Sequence, residues 1–412
     1  MNHHIASPHT VPHHAVPHRA VPHHVVVTHA GATHHGTVGH PAARLVRFIT
    51  DRFLLLPLGA LIALVWANTA GESYFTFAHA LSFPVNEIAM AFFLALIAQE
   101  VFEAVMPGGA LHTWRRWGTP VVAALGGFAA TAATYLVYVQ ASYEDVLSSA
   151  WPVACAIDIG AAYYILKLIF HRSTALPFLL MVAVVADAAG LLMVAYMRPF
   201  AETRPGGIAM MLAAVGLAAV MRRLKIHSFW PYIVICGTLS WWALYLEALH
   251  PALALVPIVP FLPHEARRHD LVTEEKDDDA VHHFEHEWNE IVQAVLFMFG
   301  LVNAGVIVSH YDTGTWAILT ASVVGRPIGI LAAVGLAVAV GFHLPRHLGW
   351  RELIVIAIAT SSGFTFALFF ATGVLPIGPA LAQIKLGALS TVAGAGLAIV
   401  VARLLRVGRF AK

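Results

Sequence analysis

Apolar residues in this chain gather into runs of about 20, not into alternating strand patterns or amphipathic stripes. The runs fall at 50–68, 84–106, 119–139, 150–170, 175–197, 206–222, 228–247, 249–263, 287–309, 315–342, 352–374 and 379–403. A helix of roughly 20 apolar residues spans a ~30 Å hydrocarbon layer. Barrel strands would show roughly ten-residue alternation instead. The pattern predicts an all-α polytopic membrane protein with about twelve transmembrane helices. The eighth run is the shortest and carries Pro251, Pro257 and Pro260, so it is the weakest of the twelve. Residues 69–83 are too short and polar to span, and are expected to form an outer loop or short hairpin.

Composition agrees with lipid as the solvent. Of 412 residues, 59% are hydrophobic and 11% charged, where a soluble domain carries about 25% charged residues. Mean hydropathy is +0.74. The net charge of +1 gives no reason to invoke a nucleic-acid partner. Cys155 and Cys236 each sit inside an apolar run with no metal or redox spacing, and read as small packing residues.

Lys and Arg test the count, because cytoplasmic loops collect them. With the N-terminus inside, the inner segments hold Arg44, Arg47, Arg52, Arg115, Arg116, Arg172, Arg222, Arg223, Lys225, Arg267, Arg268, Lys276, Arg346 and Arg351, and then the cluster from Arg403 to Lys412. The outer loops hold only Arg198 and Arg204, with Lys385 near an outer helix end. Twelve crossings with both termini cytoplasmic follow.

Two segments stand outside the spans. Residues 1–43 form a His-rich tail containing 12 of the 25 histidines, and proline recurs every four or five residues from Pro8 to Pro22. Such a segment is expected to be disordered. It contains no signal-peptide core. Histidine tracts bind transition metals, so metal or pH sensing stands beside the plainer reading of a solvated tail, and no metal site is assigned firmly. Residues 264–286, with acidic and histidine clusters, are expected to be a charged cytoplasmic loop joining the eighth and ninth spans.

Ionisable groups inside apolar runs are costly, roughly 2.5 kcal/mol or more each, and mark candidate function. Asp158 lies near the middle of the fourth run, Asp187 near the middle of the fifth, and Arg326 in the tenth. Pro327, Gly325 and Gly329 should break the tenth helix. A break at membrane depth is tolerated where it lines a cavity and points to a transport site. Carboxylates suit a dehydrated cation, with Arg326 compensating charge; a structural buried ion pair fits the same residues. Glu87, Glu100 and Glu103 lie on the second run, Glu100 and Glu103 where an entry funnel would be. Glu247 and His250 lie between the seventh and eighth runs, where His250 is either a pH-responsive group or a satisfied loop histidine. There is no His-Glu-x-x-His string, nucleophile elbow or P-loop, so no enzyme and no cofactor is expected.

Six local strings share one resemblance. They are VNEIAMAFFL from Val85, WPVACAIDI from Trp151, ADAAG from Ala186, VNAGV from Val302, GRPIGI from Gly325 and SGFTF from Ser362. In this order and spacing the chain resembles the NhaA-type sodium/proton antiporters, over about residues 45–408. The resemblance implies inverted repeats, with the fourth and eleventh helices broken near Asp158 and near Ser361–Phe364 and crossing at the midplane. It implies exchange of H⁺ for Na⁺ or Li⁺ across a bacterial inner membrane, serving pH and sodium homeostasis without nucleotide hydrolysis. It also implies a homodimer with a contact near residues 69–83. Asp187 and Asp158 would bind ions or protons. Three departures stand out. The family has a second helix-five aspartate where this chain has Ala188, a threonine where it has Ile157, and a lysine where it has Arg326. Two functions follow: an antiporter with altered stoichiometry or ion choice, or a degenerate homologue with a scaffold, sensor or other-solute role.

Overall fold

The computed structural model describes residues 55–105, 114–170, 175–197, 205–226, 228–247, 249–262, 280–344 and 348–411. Among them all regular structure is helical and no strand occurs. Helix α1 (Leu55–Thr69) is followed by α2 (Gly71–Phe83), a π-turn at Pro84–Ala89 and α3 (Met90–Val105). Then come α4 (Trp114–Ala141), α5 (Trp151–Cys155), α6 (Ile159–Ile169), α7 (Ala175–Met197) and α8 (Pro205–Arg223). A π-turn at Tyr232–Gly237 leads into α9 (Thr238–Leu246), and α10 (Ala280–Asn303) follows. Helix α11 (Thr313–Thr320) runs through a π-turn at Ala321–Gly325 into α12 (Arg326–Ala339). Helices α13 (Trp350–Ala359), α14 (Phe364–Val374), α15 (Pro379–Ser390) and α16 (Val392–Leu404) complete the order.

Among the described residues, five helical stretches are long and apolar enough to cross a membrane: Gly71–Gln99, Gly118–Ala141, Gly206–Arg223, Thr313–Ala339 and Pro379–Phe410. The pair α13 and α14, bent by 45° at its break, makes a sixth. Shorter apolar helices lie at Leu55–Thr69, Phe178–Gly190, Tyr232–Leu246 and Val292–Asn303, within four more of the expected spans. Only 22% of the Gly206–Arg223 stretch is buried inside the protein. An apolar helix so little covered by its own chain needs lipid on its other faces. The chain is a multi-pass membrane protein.

Without a hydrophobic drive between helices in lipid, close backbone approach has to hold them together. Gly126, Ala130 and Thr134 of α4 face Ala333, Gly329 and Gly325 of the tenth span in antiparallel order, so near that a Cβ on any of the three glycines would overlap its neighbour. One residue on, a Cβ at Gly127 would overlap the Ile330 side chain, and the Arg326 stem lies beside it, its Cγ 3.5 Å from where that Cβ would stand. Gly59 of α1 and Gly300 of α10 make a second such contact.

Four expectations are corrected. Residues 71–83 are a helix, not a loop or hairpin, and continue into the second span; buried Tyr74 anchors it by donating to Leu301 and Val302 carbonyls and accepting from Gly305 N. The tenth span is not broken at Pro327. A π-turn ends just before it, and its wider turn accommodates the ring where the missing N–H would otherwise interrupt the helix. The eighth run is a chain of tight turns, with 3₁₀ turns at Pro251–Leu253 and Val259–Phe261, because its prolines remove helix donors. Ala252, Ala254 and Ile258 in it are buried. Finally, residues 280–286 of the expected charged loop belong to α10; residues 264–279 and the tail 1–43 lie outside the described residues.

Gly329→Val should force α4 and α12 apart, an overpacking cost of about 1–3 kcal/mol. The expected result is a lower melting temperature of the detergent-solubilised protein; an unchanged value would show that this contact does not limit stability.

Candidate ion site at two crossed helix breaks

The fourth expected span is interrupted at Ala156–Asp158 and the eleventh at Thr360–Gly363, and the two interruptions lie against each other. Asp158 N donates to Ser362 O at 2.7 Å. Gly363 is required there, because a Cβ would overlap the Ala156 carbonyl. Each break exposes helix ends whose N–H and C=O groups have lost their intrahelical partners. At membrane depth such groups need partners from elsewhere in the protein.

Two charged side chains supply them. Asp158, buried at 9% exposure, is the N-cap of α6: its Oδ1 accepts from Ala161 N at 3.1 Å. Its Oδ2 accepts from Thr365 Oγ1 at 2.7 Å and from Thr365 N at 3.3 Å, in the first turn of α14. One carboxylate thus serves two helix N-termini. Arg326, at 1% exposure, serves the opposite ends: Nη1 donates to Thr360 O at the end of α13, and Nη2 donates to Ala154 O at the end of α5. Each helix terminus carries roughly half a charge, positive at the N-terminus and negative at the C-terminus. Two N-termini against one carboxylate and two C-termini against one guanidinium bring the crossing close to electrical balance.

The surrounding polar groups reinforce this. Ser322 Oγ donates to Ala154 O at 3.2 Å, and Gly363 N donates to Thr391 Oγ1 at 3.1 Å. Ile157 is buried with Ala183 and Ala186 of α7 in a small apolar cluster of its own. That cluster places the broken fourth span against the turn of α7 that bears Asp187. Ala188 follows and is half-buried. The side chains of Asp187, Glu100 and Glu103 lie outside the described part of the structure, although their backbones are on α7 and α3.

His250 lies elsewhere and is buried at 3% exposure. Its Nδ1 faces Glu87 Oε2 at 3.1 Å, within ion-pair reach but off the geometry of a formed hydrogen bond. Its ring packs on Phe369 of α14 with centroids 4.8 Å apart. Trp241 Nε1 donates to Glu87 O at 2.8 Å. Nearby, Asn86 and Asn303 exchange amide hydrogen bonds at 3.2 and 2.7 Å. Sequence reasoning singled out His250 and Glu87 separately and missed their pairing, which joins residues 163 positions apart. It also missed Thr365, whose value comes only from a partner 207 residues away.

A family model described as Na+/H+ antiporter 1 matches residues 46–403. The chain belongs to the Na+/H+ antiporter 1 family. Among its curated relatives is the Na(+)/H(+) antiporter NhaA of Desulfitobacterium hafniense, 38% identical over 375 residues, covering 88% of this chain and 96% of that one. The protein of the same name from Geobacter metallireducens is 37% identical over 364 residues, covering 85% and 95%. A solved structure, the sodium proton antiporter MjNhaP1 from Methanocaldococcus jannaschii, superposes with a TM-score of 0.55 at 14% identity, covering 88% of this chain and 95% of that one. At that identity the likeness speaks for the fold alone.

Arg326→Met should leave the Ala154 and Thr360 carbonyls without their charged donor. Removing one partner from a buried charge arrangement costs about 3–5 kcal/mol, so the purified variant should melt well below the parent. Arg326→Lys should recover part of the loss, since a single ammonium does not reproduce the planar fork. A methionine variant as stable as the parent would show that the guanidinium does not hold the half-helices.

Proposed function

We propose that this chain is a secondary antiporter of the bacterial inner membrane, exchanging H⁺ for Na⁺ or Li⁺ and contributing to pH and sodium homeostasis. The observation that carries the reading is the pair of crossed helix breaks, each end capped by Asp158 or Arg326, in a chain of the antiporter family. Interrupted helices lend transporters backbone polar groups at membrane depth. In the proposed arrangement the protein makes twelve crossings with both termini cytoplasmic, the eighth made by the chain of buried tight turns and not by a helix; residues 1–43 form a solvated cytoplasmic tail, residues 44–412 form the transport domain, and two copies form a homodimer.

Asp187 is the proposed carrier of the cation and the proton. Asp158 joins it in the ion site, contributing negative charge while its oxygens stay engaged by Ala161 and Thr365. With Ala188 in place of a second carboxylate in the fifth span, and an arginine that does not release its proton, one titratable carrier remains. One proton per cation is then the natural ratio, which makes exchange electrically neutral. Glu100 is assigned to the cytoplasmic entry funnel, and His250 with Glu87 to the response to pH.

A second reading draws on the same Ala188: a degenerate homologue that no longer exchanges Na⁺ for H⁺ and acts as a scaffold, sensor or carrier of another solute. Dequenching of a pH-gradient dye in everted vesicles or proteoliposomes separates the two. The antiporter should respond to Na⁺ or Li⁺, Asp187→Asn should abolish the response, and its rate should be insensitive to an imposed membrane potential. No response to Na⁺, Li⁺ or K⁺ across the physiological pH range would leave the second reading.

Glu87→Gln and His250→Gln should each shift the pH profile of exchange, and the double variant should match either single one, because paired groups are not additive. Two independent, summing shifts would dissolve the pair as a functional unit.

A further inference from the structure

Two side chains at the crossing take no part in the capping of the helix ends. Ser361 and Ser362 lie between α13 and α14, both at 0% exposure, and neither hydroxyl has a hydrogen-bond partner among the described residues. Neighbouring hydroxyls are engaged. Thr360 Oγ1 donates to Ala357 O, Thr365 Oγ1 donates to Asp158 Oδ2, and Thr391 Oγ1 accepts from Gly363 N and donates to Ala388 O. A buried polar group left unpaired costs about 1–3 kcal/mol, and alanine would fill nearly the same space without that cost. Both serines sit where the breaks meet. Ser362 O receives the Asp158 N–H. Ser361 Cβ rests on α16 at Gly394, within 2.8 Å of where a Cβ would stand.

We propose that the Ser361 and Ser362 hydroxyls are oxygen ligands for the transported monovalent cation, forming a transit subsite at the crossing. The proposal rests on the antiport reading. Small hard cations take oxygen ligands, and a hydroxyl turns a lone pair to the ion by rotating its proton away. The Asp158 oxygens already receive three donors, so the serine oxygens are the uncommitted ones. They are also neutral. With Asp158 and Arg326 near electrical balance, neutral ligands hold a cation loosely enough to hand it on.

The test uses the full chain in proteoliposomes, measuring apparent KM for Na⁺ and for Li⁺. The S361A/S362A double variant should raise KM about tenfold, equivalent to ~1.4 kcal/mol of lost binding, with the maximal rate little changed. S361C/S362C should behave like the alanine pair, since sulfur keeps the shape but is a poor ligand for a hard cation. If the double variants fail to accumulate, Ser361→Ala and Ser362→Ala each give the same readout with a smaller rise. An unchanged KM, above all with a raised melting temperature, would overturn the proposal, because that is how a hydroxyl without a ligand behaves. No cation response in the parent would instead sink the antiport reading. In that case, a rise in melting temperature with NaCl over choline chloride, lost in S361A/S362A, supports the subsite; its absence from the parent, or its survival in the variant, removes it.

Discussion

A broken helix in lipid must find partners for every backbone group the break releases, and this constraint organises the rest of the molecule. Four half-helix ends meet where α5, α6, α13 and α14 come together. Water is the usual partner for such ends, and a hydrocarbon surround withholds it. Two ionised side chains answer for all four ends, Asp158 for the N-termini and Arg326 for the C-termini. Each ion is itself expensive to bury. The two costs offset because the charges of ion and helix terminus are opposite and each ion makes hydrogen bonds to both of its ends.

The placement of Arg326 depends on packing remote from the crossing. Its stem lies over Gly127, and its helix is held against α4 by Gly325, Gly329 and Ala333 meeting Thr134, Ala130 and Gly126. The π-turn before Pro327 keeps that helix continuous, so the guanidinium is carried by a rigid span. A proline that breaks a helix in isolation is here absorbed by one widened turn. Small residues, a π-turn and a buried cation thus form a dependent series, in which a fault in the first misplaces the last.

Which parts were legible in the sequence follows from range. Apolar runs and positive loops are local signals, so the membrane class and most span positions could be read directly. The breaks near Asp158 and at Ser361–Phe364 came from the family resemblance, since nothing in Ala-Ile-Asp alone announces an interrupted helix. Misreadings had local causes too. Proline was given the same meaning at Pro327 as at Pro251, Pro257 and Pro260, yet only the second group stands in a segment without a regular helix. Residues 71–83 looked too polar to span and were read as irregular, although polarity bears on depth in the membrane, not on helicity. The pairings Asp158–Thr365 and Glu87–His250 join distant residues and have no local signature.

The capping geometry bears on how a chain with one carboxylate in its fifth span could still exchange ions. A lysine at position 326 could both cap helix ends and surrender a proton, at the cost of leaving those ends uncompensated in one state. Arginine gives up the proton function and keeps the two C-termini neutralised in every state. Asp158 is committed in a similar way: its two oxygens receive three donors, and those hydrogen bonds tie α6 to α14. The crossing then acts as an electrostatic frame, and under the proposed antiport the proton travels on Asp187 instead. A frame whose cation is arginine needs no second carboxylate to balance a departing lysine proton. On this argument Ala188 and Arg326 are one coupled departure from the family pattern, and the loss of the second aspartate is compatible with a working exchanger of lower proton count.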